Sequence, residues 1–349
     1  MKQEDLLNTP AKLLIEDNVL AVISDSGLKT VSSAIYNGGF KKVKAILNIQ
    51  VPQGYSDIKL HEDPMHLVRL SSAKVGVHED YLAMITAAKI VNMHHVTKSD
   101  GNVTVNVMAT AGASHGESAG EKIDADHLDG TINIIVVING NPTDSCLVAA
   151  FVTATEAKTA ALNDLDIRSR YSGQAATGTI TDSLSVATTN TGSVIELGGP
   201  ASRLGQLVAS CVREAVKEAV KKQDSTLPSR SVASRLKARH LPVDRLASEL
   251  SKIKSLKADE KTLRNKLDAI LSDPLYASFL LAAAKLDDDV KKGVVPSEVG
   301  EVAEASRRFG VLISGRGSHR QLAGEDVDAV DLPPFLKQAL LNILQNNPE

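Results

Sequence analysis

Three short segments concentrate the side chains that carbonyl chemistry uses. Ser32-Ser33-Ala34-Ile35-Tyr36-Asn37-Gly38-Gly39 offers hydroxyls, an amide and glycine-exposed backbone. Thr153-Ala154-Thr155-Glu156-Ala157-Lys158-Thr159 adds a carboxylate and an ammonium two residues apart. Thr177-Gly178-Thr179-Ile180-Thr181-Asp182-Ser183 adds a second carboxylate behind a Gly-Thr-x-Thr turn. Hydroxyls, amides and backbone N–H groups bind a carbonyl oxygen and the oxyanion that replaces it. Two carboxylates in one cleft can activate water and protonate a leaving group. Each charged residue also has an ordinary structural use. Glu156 in the first turn of a helix is favoured by the helix dipole, Lys158 suits a salt bridge, and Asp182 suits a turn cap.

Seven of the nine histidines fall between positions 61 and 127. None stands at zinc-site spacing with Asp or Cys. His115 is the best ligand-contacting candidate, because it follows a strand end inside a Gly/Ser loop. His127-Leu128-Asp129-Gly130 shares His-x-x-Gly with a cobalt-ligating motif, but Ala125 stands where that motif wants Asp. The chain has no dinucleotide glycine fingerprint, no phosphate-loop lysine, no Gly-x-Ser-x-Gly elbow and no His-Glu-x-x-His.

The elements that must position these groups read as α/β. Asn18–Asp25, Val43–Val51, Val103–Thr110, Leu147–Thr153 and the end of 177–189 read as strands. Tyr81–Val91 is ambiguous between strand and short helix, and 53–80 and 111–129 read as loops. Thr131–Asn139 is a nearly continuous β-branched run, the pattern of a central strand covered on both faces. A helix is expected over 154–162, capped by Thr153 or Thr155. The clearest helix is 202–222, where apolar residues recur every three or four positions from Leu204 to Ala219. Beyond Pro228, which reads as opening a linker, only helical patterns follow: 243–253, 260–271, 275–286 and 335–344. The expected architecture is a mixed β-sheet domain with flanking helices over 1–225, then a small all-α C-terminal domain over 226–349.

Composition bounds the partners. The 349 residues are 43% hydrophobic and 23% charged, ordinary for a globular chain. With five Phe, five Tyr and no Trp, the core must be aliphatic, and base stacking on many rings is excluded. The net charge of −3 gives no nucleic-acid footprint. The basic stretch over 230–266 reads as a solvated helical surface. Cys146 and Cys211 lie in apolar runs and read as buried thiols of a reducing compartment. The N-terminus is too polar for a signal peptide, and no apolar run approaches ~18 residues. The expectation is a cytoplasmic protein with no membrane or nucleic-acid partner and an open oligomeric state.

From about Ser24 to Lys222 the chain resembles the CbiZ-type adenosylcobinamide amidohydrolases of corrinoid salvage. The resemblance rests on Ser33–Gly39, on Gly130-Thr131-Ile132-Asn133-Ile134, on Thr153–Leu162, on Ala176–Asp182 and on Leu204-Gly205. It departs at Ile180, where glycine is expected, and at Gly199-Pro200, where His or Thr is expected. The resemblance implies hydrolysis of the amide between a corrin side-chain carboxyl and aminopropanol, giving adenosylcobyric acid and 1-amino-2-propanol. The cobalt corrinoid is then substrate, and no further cofactor is required. For that reaction, Glu156 or Asp182 is the candidate general base. Asn37, the Gly38-Gly39 backbone and Thr181 are candidates for the oxyanion. His115, Thr155 and Lys158 complete the candidate substrate-binding set, and Thr155 or Ser33 as nucleophile is the competing route. The segments at 231–247 and 269–273 faintly resemble archaeal α-ribazole-phosphate phosphatases. On that reading Asp287-Asp288-Asp289 would hold Mg²⁺. A corrinoid-binding or carrier protein without catalysis is the rival class.

Overall fold

The computed structural model describes residues 2–54, 62–122, 130–225, 227, 229–295, 304–306, 308, 327 and 329–346. The chain divides into two compact units, Met1–Tyr171 with Ala175–Ser229, and Ser172–Gln174 with Arg230–Glu349. The expected linker residue Pro228 lies outside the described residues.

In the first unit, nine strands form one mixed sheet: β1 (Lys2–Asp5), β2 (Ala11–Glu16), β3 (Val19–Ser32), β4 (Gly39–Gln50), β5 (Tyr81–Thr86), β6 (His94–Asp100), β7 (Val103–Gly112), β8 (Thr131–Asn139) and β9 (Ser183–Thr188). The main path runs β1-β2-β3-β9-β8-β7-β6, and β4 branches from β3 to carry β5. β8 and β9 are parallel, as are β4 and β5. Helix α1 (Pro64–Lys74) precedes β5, α2 (Asp144–Asp164) joins β8 to β9, and α3 (Arg203–Gln223) follows β9.

The alternation of β8 shows why its whole run is apolar. Ile132, Ile134, Val136 and Ile138 pack with Cys146, Ala150 and Ala154 of α2 and with Val208, Val212 and Ala215 of α3. Ile135 and Val137 face the opposite way, into a cluster with Val22, Ile46, Leu82 and Met84 from β3, β4 and β5. The sheet therefore curls so that β4 and β5 cover the face that α2 and α3 leave open. A β-bulge between Ile23 and Leu28 breaks the β3–β4 register, and such a bulge sharpens the local bend. Polar side chains pin the curl from inside. Asn133 Nδ2 donates to Asn48 Oδ1 (2.8 Å) on β4 and to the Ile85 carbonyl (2.9 Å) on β5. Asn48 Nδ2 donates to Thr110 Oγ1 (2.9 Å) on β7.

Two expectations are corrected. Leu147–Thr153 is not a strand, and the helix does not begin at 154. It is one helix from Asp144, capped by Thr143, whose hydroxyl accepts from the Cys146 amide at 3.2 Å. Cys146, Leu147, Ala150, Ala154, Ala157 and Ala161 form a small-residue stripe of helical period, which a strand reading of the first half conceals. Neither Thr153 nor Thr155 is a cap, and Glu156 sits mid-helix, away from the dipole's positive end. Second, the supposed loop at 53–80 contains α1, with Asp63 as N-cap and Pro64 at its first turn. Strand β6, which the sequence pattern does not mark, carries little apolar sequence because it is the sheet's edge. Helix α2 is long and apolar enough to cross a membrane by composition, yet its apolar stripe is spent on the sheet.

The second unit is helical: α4 (Val232–Lys237), α5 (Val243–Ser251), α6 (Glu260–Ser272), α7 (Pro274–Lys291) and α8 (Pro334–Asn346) around a leucine-rich core. Asp287 of α7 is buried and accepts from the Phe335 and Leu336 amides, both at 2.9 Å, so it caps the start of α8. Asp288 pairs with the buried Arg239 (3.3 Å). Two of the three acids of the expected Mg²⁺ group are thus engaged by the fold itself. Among the described residues no group of three or more His, Cys, Asp or Glu is placed to hold a metal.

Burial pushes the Asp287 carboxyl up to about 6 against the pull of those amides. The folded state thus holds a proton that the unfolded chain releases near pH 4, so the contribution of this group to stability is fully present below pH 4 and is lost as pH rises through about 6. Urea unfolding should show that loss, on the order of 3 kcal/mol, and Asp287→Asn should abolish it. Asp287→Ala should cost about 1–3 kcal/mol below pH 4, because it leaves two buried amides unpaired, and the difference from wild type should shrink as pH rises through about 6.

Candidate active site

Asp182 organises the site. It precedes β9, and all four of its in-plane acceptor directions are taken. Oδ1 accepts from the Ile132 amide (2.9 Å) and the Thr179 hydroxyl. Oδ2 accepts from the Thr179 amide (3.1 Å) and from Lys158 Nζ on α2. The side chains of Lys158 and Asp182 are only 13% and 15% exposed. A carboxylate so saturated has no acceptor direction left to offer. Its effect is to hold an ammonium at the start of β8 and β9.

Around this pair the first and third polar segments meet. Ser33 Oγ accepts from the Leu184 amide (3.0 Å) and lies 3.5 Å from Ser183 Oγ. Thr181 Oγ1 donates to the Gly130 carbonyl (3.0 Å), fastening the turn to the start of β8. Ser33 and Thr181 are exposed at this end. Gly130 lies at φ 97°, and a Cβ there would stand 3.1 Å from the His115 carbonyl oxygen and 3.4 Å from Thr179 Cβ. His115, half-buried, therefore flanks the same turn.

Behind His115 stands Asp224, at the C-terminal end of α3, which sequence reasoning missed. It accepts from the Ala113 amide at 3.0 Å. Burial pushes its carboxyl up, while the Ala113 amide, the neighbouring His115 imidazole and the Ser114 amide pull it down. No local pattern marks it, since it reads as the residue that ends a helix.

Other expected site residues lie elsewhere. Glu156 is exposed on the far side of α2 from Lys158, because two residues turn a helix by about 200°. It lines a groove of about 650 Å³ with Lys98, Ala157, Arg213 and Glu214. Thr155 is exposed and donates to the Phe151 carbonyl (3.0 Å), a bond internal to the helix. Glu156 and Asp182 thus do not converge. Asn37 is exposed at φ 54° and donates to the Tyr81 carbonyl (2.9 Å), so it shapes the β3–β4 turn. Gly38 is required there, since a Cβ would lie 2.5 Å from the Ala34 carbonyl oxygen. Gly39 opens β4, exposed, at φ 84°. Ile180 is not in the left-handed region, so the turn has no need of the glycine expected there. His61 and His127 lie outside the described residues.

A family model for adenosylcobinamide amidohydrolase, CbiZ, matches residues 7–228. The chain belongs to this family. Family membership makes it a hydrolase of corrinoid salvage. An adenosylcobinamide amidohydrolase of Methanosarcina mazei is 28% identical over 212 residues, covering 58% of this chain and 94% of that protein. An uncharacterized protein of Methanocaldococcus jannaschii is 29% identical over 232 residues, covering 60% of this chain and 89% of that protein. The crystal structure of the PH0078 protein from Pyrococcus horikoshii OT3 covers 60% of this chain and 82% of its own at 12% identity. The TM-score of that match is 0.32.

The packing of this turn leaves no space at Gly178, where a Cβ would stand 2.5 Å from Asp182 Oδ2 and 2.7 Å from Lys158 Nζ. Gly178→Ala should therefore push the pair apart. We expect a loss of activity of about tenfold or more, with the melting temperature lowered by only a few degrees. Unchanged activity would show that the pair's placement is not critical.

Proposed function

We propose that the amide of adenosylcobinamide is hydrolysed by water at the β8–β9 strand end, beside the Lys158–Asp182 pair. The observation that carries this reading is the shielded ammonium of Lys158, anchored by a carboxylate that has no acceptor direction left. Asp182 takes one N–H of Lys158, and the ammonium has two more to offer. These would polarise the substrate carbonyl and hold the oxyanion of the tetrahedral intermediate, the largest single contribution in most acyl transfers. Thr181 and Ser33 would orient the amide from either side. His115, backed by Asp224, would draw the proton from the attacking water, the usual task of an imidazole near neutral pH. The products are adenosylcobyric acid and 1-amino-2-propanol. The corrin ring, as substrate, would rest on aliphatic surface, in keeping with the scarcity of aromatic side chains.

Purified protein incubated with adenosylcobinamide should release 1-amino-2-propanol in step with adenosylcobyric acid. A protein that binds the corrinoid and releases no amine would instead be a carrier. Lys158→Met and Asp182→Asn should each lower kcat/KM by about 10²–10³, whereas Glu156→Gln should stay within about threefold. Ser33→Ala should retain most activity. Its complete inactivation, or a trapped acyl-enzyme on Ser33, would replace water attack with a covalent route.

A further inference from the structure

Glu117 is a buried carboxyl that none of the steps above employs. It lies in the loop after β7 and is 6% exposed. Its Oε2 is buried and, among the described residues, receives no hydrogen bond. Burying an ionised carboxylate without donors is costly, so such a place favours the neutral acid. Burial pushes the group's pKa up, the Glu121 carboxylate pushes the same way, and the Arg170 guanidinium opposes them.

The loop is tied to the site by its backbone. The Glu117 amide donates to the Gly178 carbonyl (2.9 Å), and the Thr177 amide donates to the Glu117 carbonyl (2.8 Å), forming an antiparallel bridge between Glu117 and Gly178. Directly opposed residues of an antiparallel bridge project to the same face. On the Gly178 side that face is occupied by Lys158 Nζ and Asp182 Oδ2. Gly116, the preceding residue, faces the other way, where a Cβ would meet Ala176 and Ile167. The bridge therefore starts the Glu117 side chain on the face where the Lys158 ammonium lies, and its burial favours the neutral acid.

Resting on the reading of this cleft as the amide-cleaving site, we propose that Glu117 is the proton donor to the departing amine. Water adds its oxygen to the carbonyl carbon and gives a proton to His115. The oxyanion collapses, the C–N bond breaks, and Glu117 delivers its proton to nitrogen. The proton on His115 then returns through solvent to the Glu117 carboxylate. One water is consumed, one carboxylic acid and one amine are formed, and nothing is oxidised or reduced.

The test uses the full chain and two substrates with the same acyl group: adenosylcobinamide and the 4-nitrophenyl ester of adenosylcobyric acid. The ester's phenolate leaves without a proton. Glu117→Gln should lose about 10²-fold or more on the amide, while ester cleavage stays within about threefold. Cleavage of the amide at the wild-type rate, or equal losses on both substrates, would overturn the proposal. Should the Gln variant not fold, Glu117→Asp keeps the acid but shortens its reach, and must again lose amide cleavage selectively. A wild-type chain that cleaves neither compound would contradict the amidohydrolase reading itself, whereas wild-type cleavage without the selective loss contradicts only the role of Glu117.

Discussion

The site depends on the saturation of one carboxylate. Asp182 gathers a backbone amide of β8, the amide and hydroxyl of its own turn and the ammonium of a helix on the sheet's other side. Remove any of these and the others lose their common reference. Breaking a shielded ion pair by deleting one partner typically costs about 3–5 kcal/mol, because the survivor is left uncompensated. The arrangement thus fixes an electropositive group without freeing it to move, which is what stabilising a transient oxyanion requires.

The curled sheet makes that fixation possible. With β8 covered by helices on one face and by β4 and β5 on the other, its first residues, Thr131, Ile132 and Asn133, are buried. Asn133, two residues into β8, ties that strand to β4 and β5 from inside the curl. Parallel pairing of β8 with β9, joined by α2, places Lys158 over the start of both strands. The loop after β7 completes the end with His115 and Glu117. Helix, turn and loop each contribute charge-bearing groups, and none would form a site alone.

The sheet-forming core was legible because β-branched runs and period-two alternation are local signals. Helix α3 was legible for the same reason at period 3.6, and so were the main helices of the second unit. Helix α2 was misjudged at its start because Leu147–Val152 satisfies a strand's composition as well as a helix's spacing. The first and third polar segments do lie at strand ends, whereas the second lies in the middle of α2, and two contacts, Ser33 with Ser183 and Lys158 with Asp182, join the three. Choosing between Glu156 and Lys158 required the rotation of a helix whose position sequence alone placed ten residues late. Asp224 and Glu117 were invisible because burial and long-range adjacency make them distinctive, not their neighbours along the chain.

A double-mutant cycle on Lys158→Met and Asp182→Asn, read as kcat/KM for release of 1-amino-2-propanol, probes the central claim most directly. If the carboxylate acts by holding the ammonium, the double variant should be hardly slower than either single one. Losses that multiply would show two independent roles, and singles near wild-type activity would remove the pair from the reaction altogether.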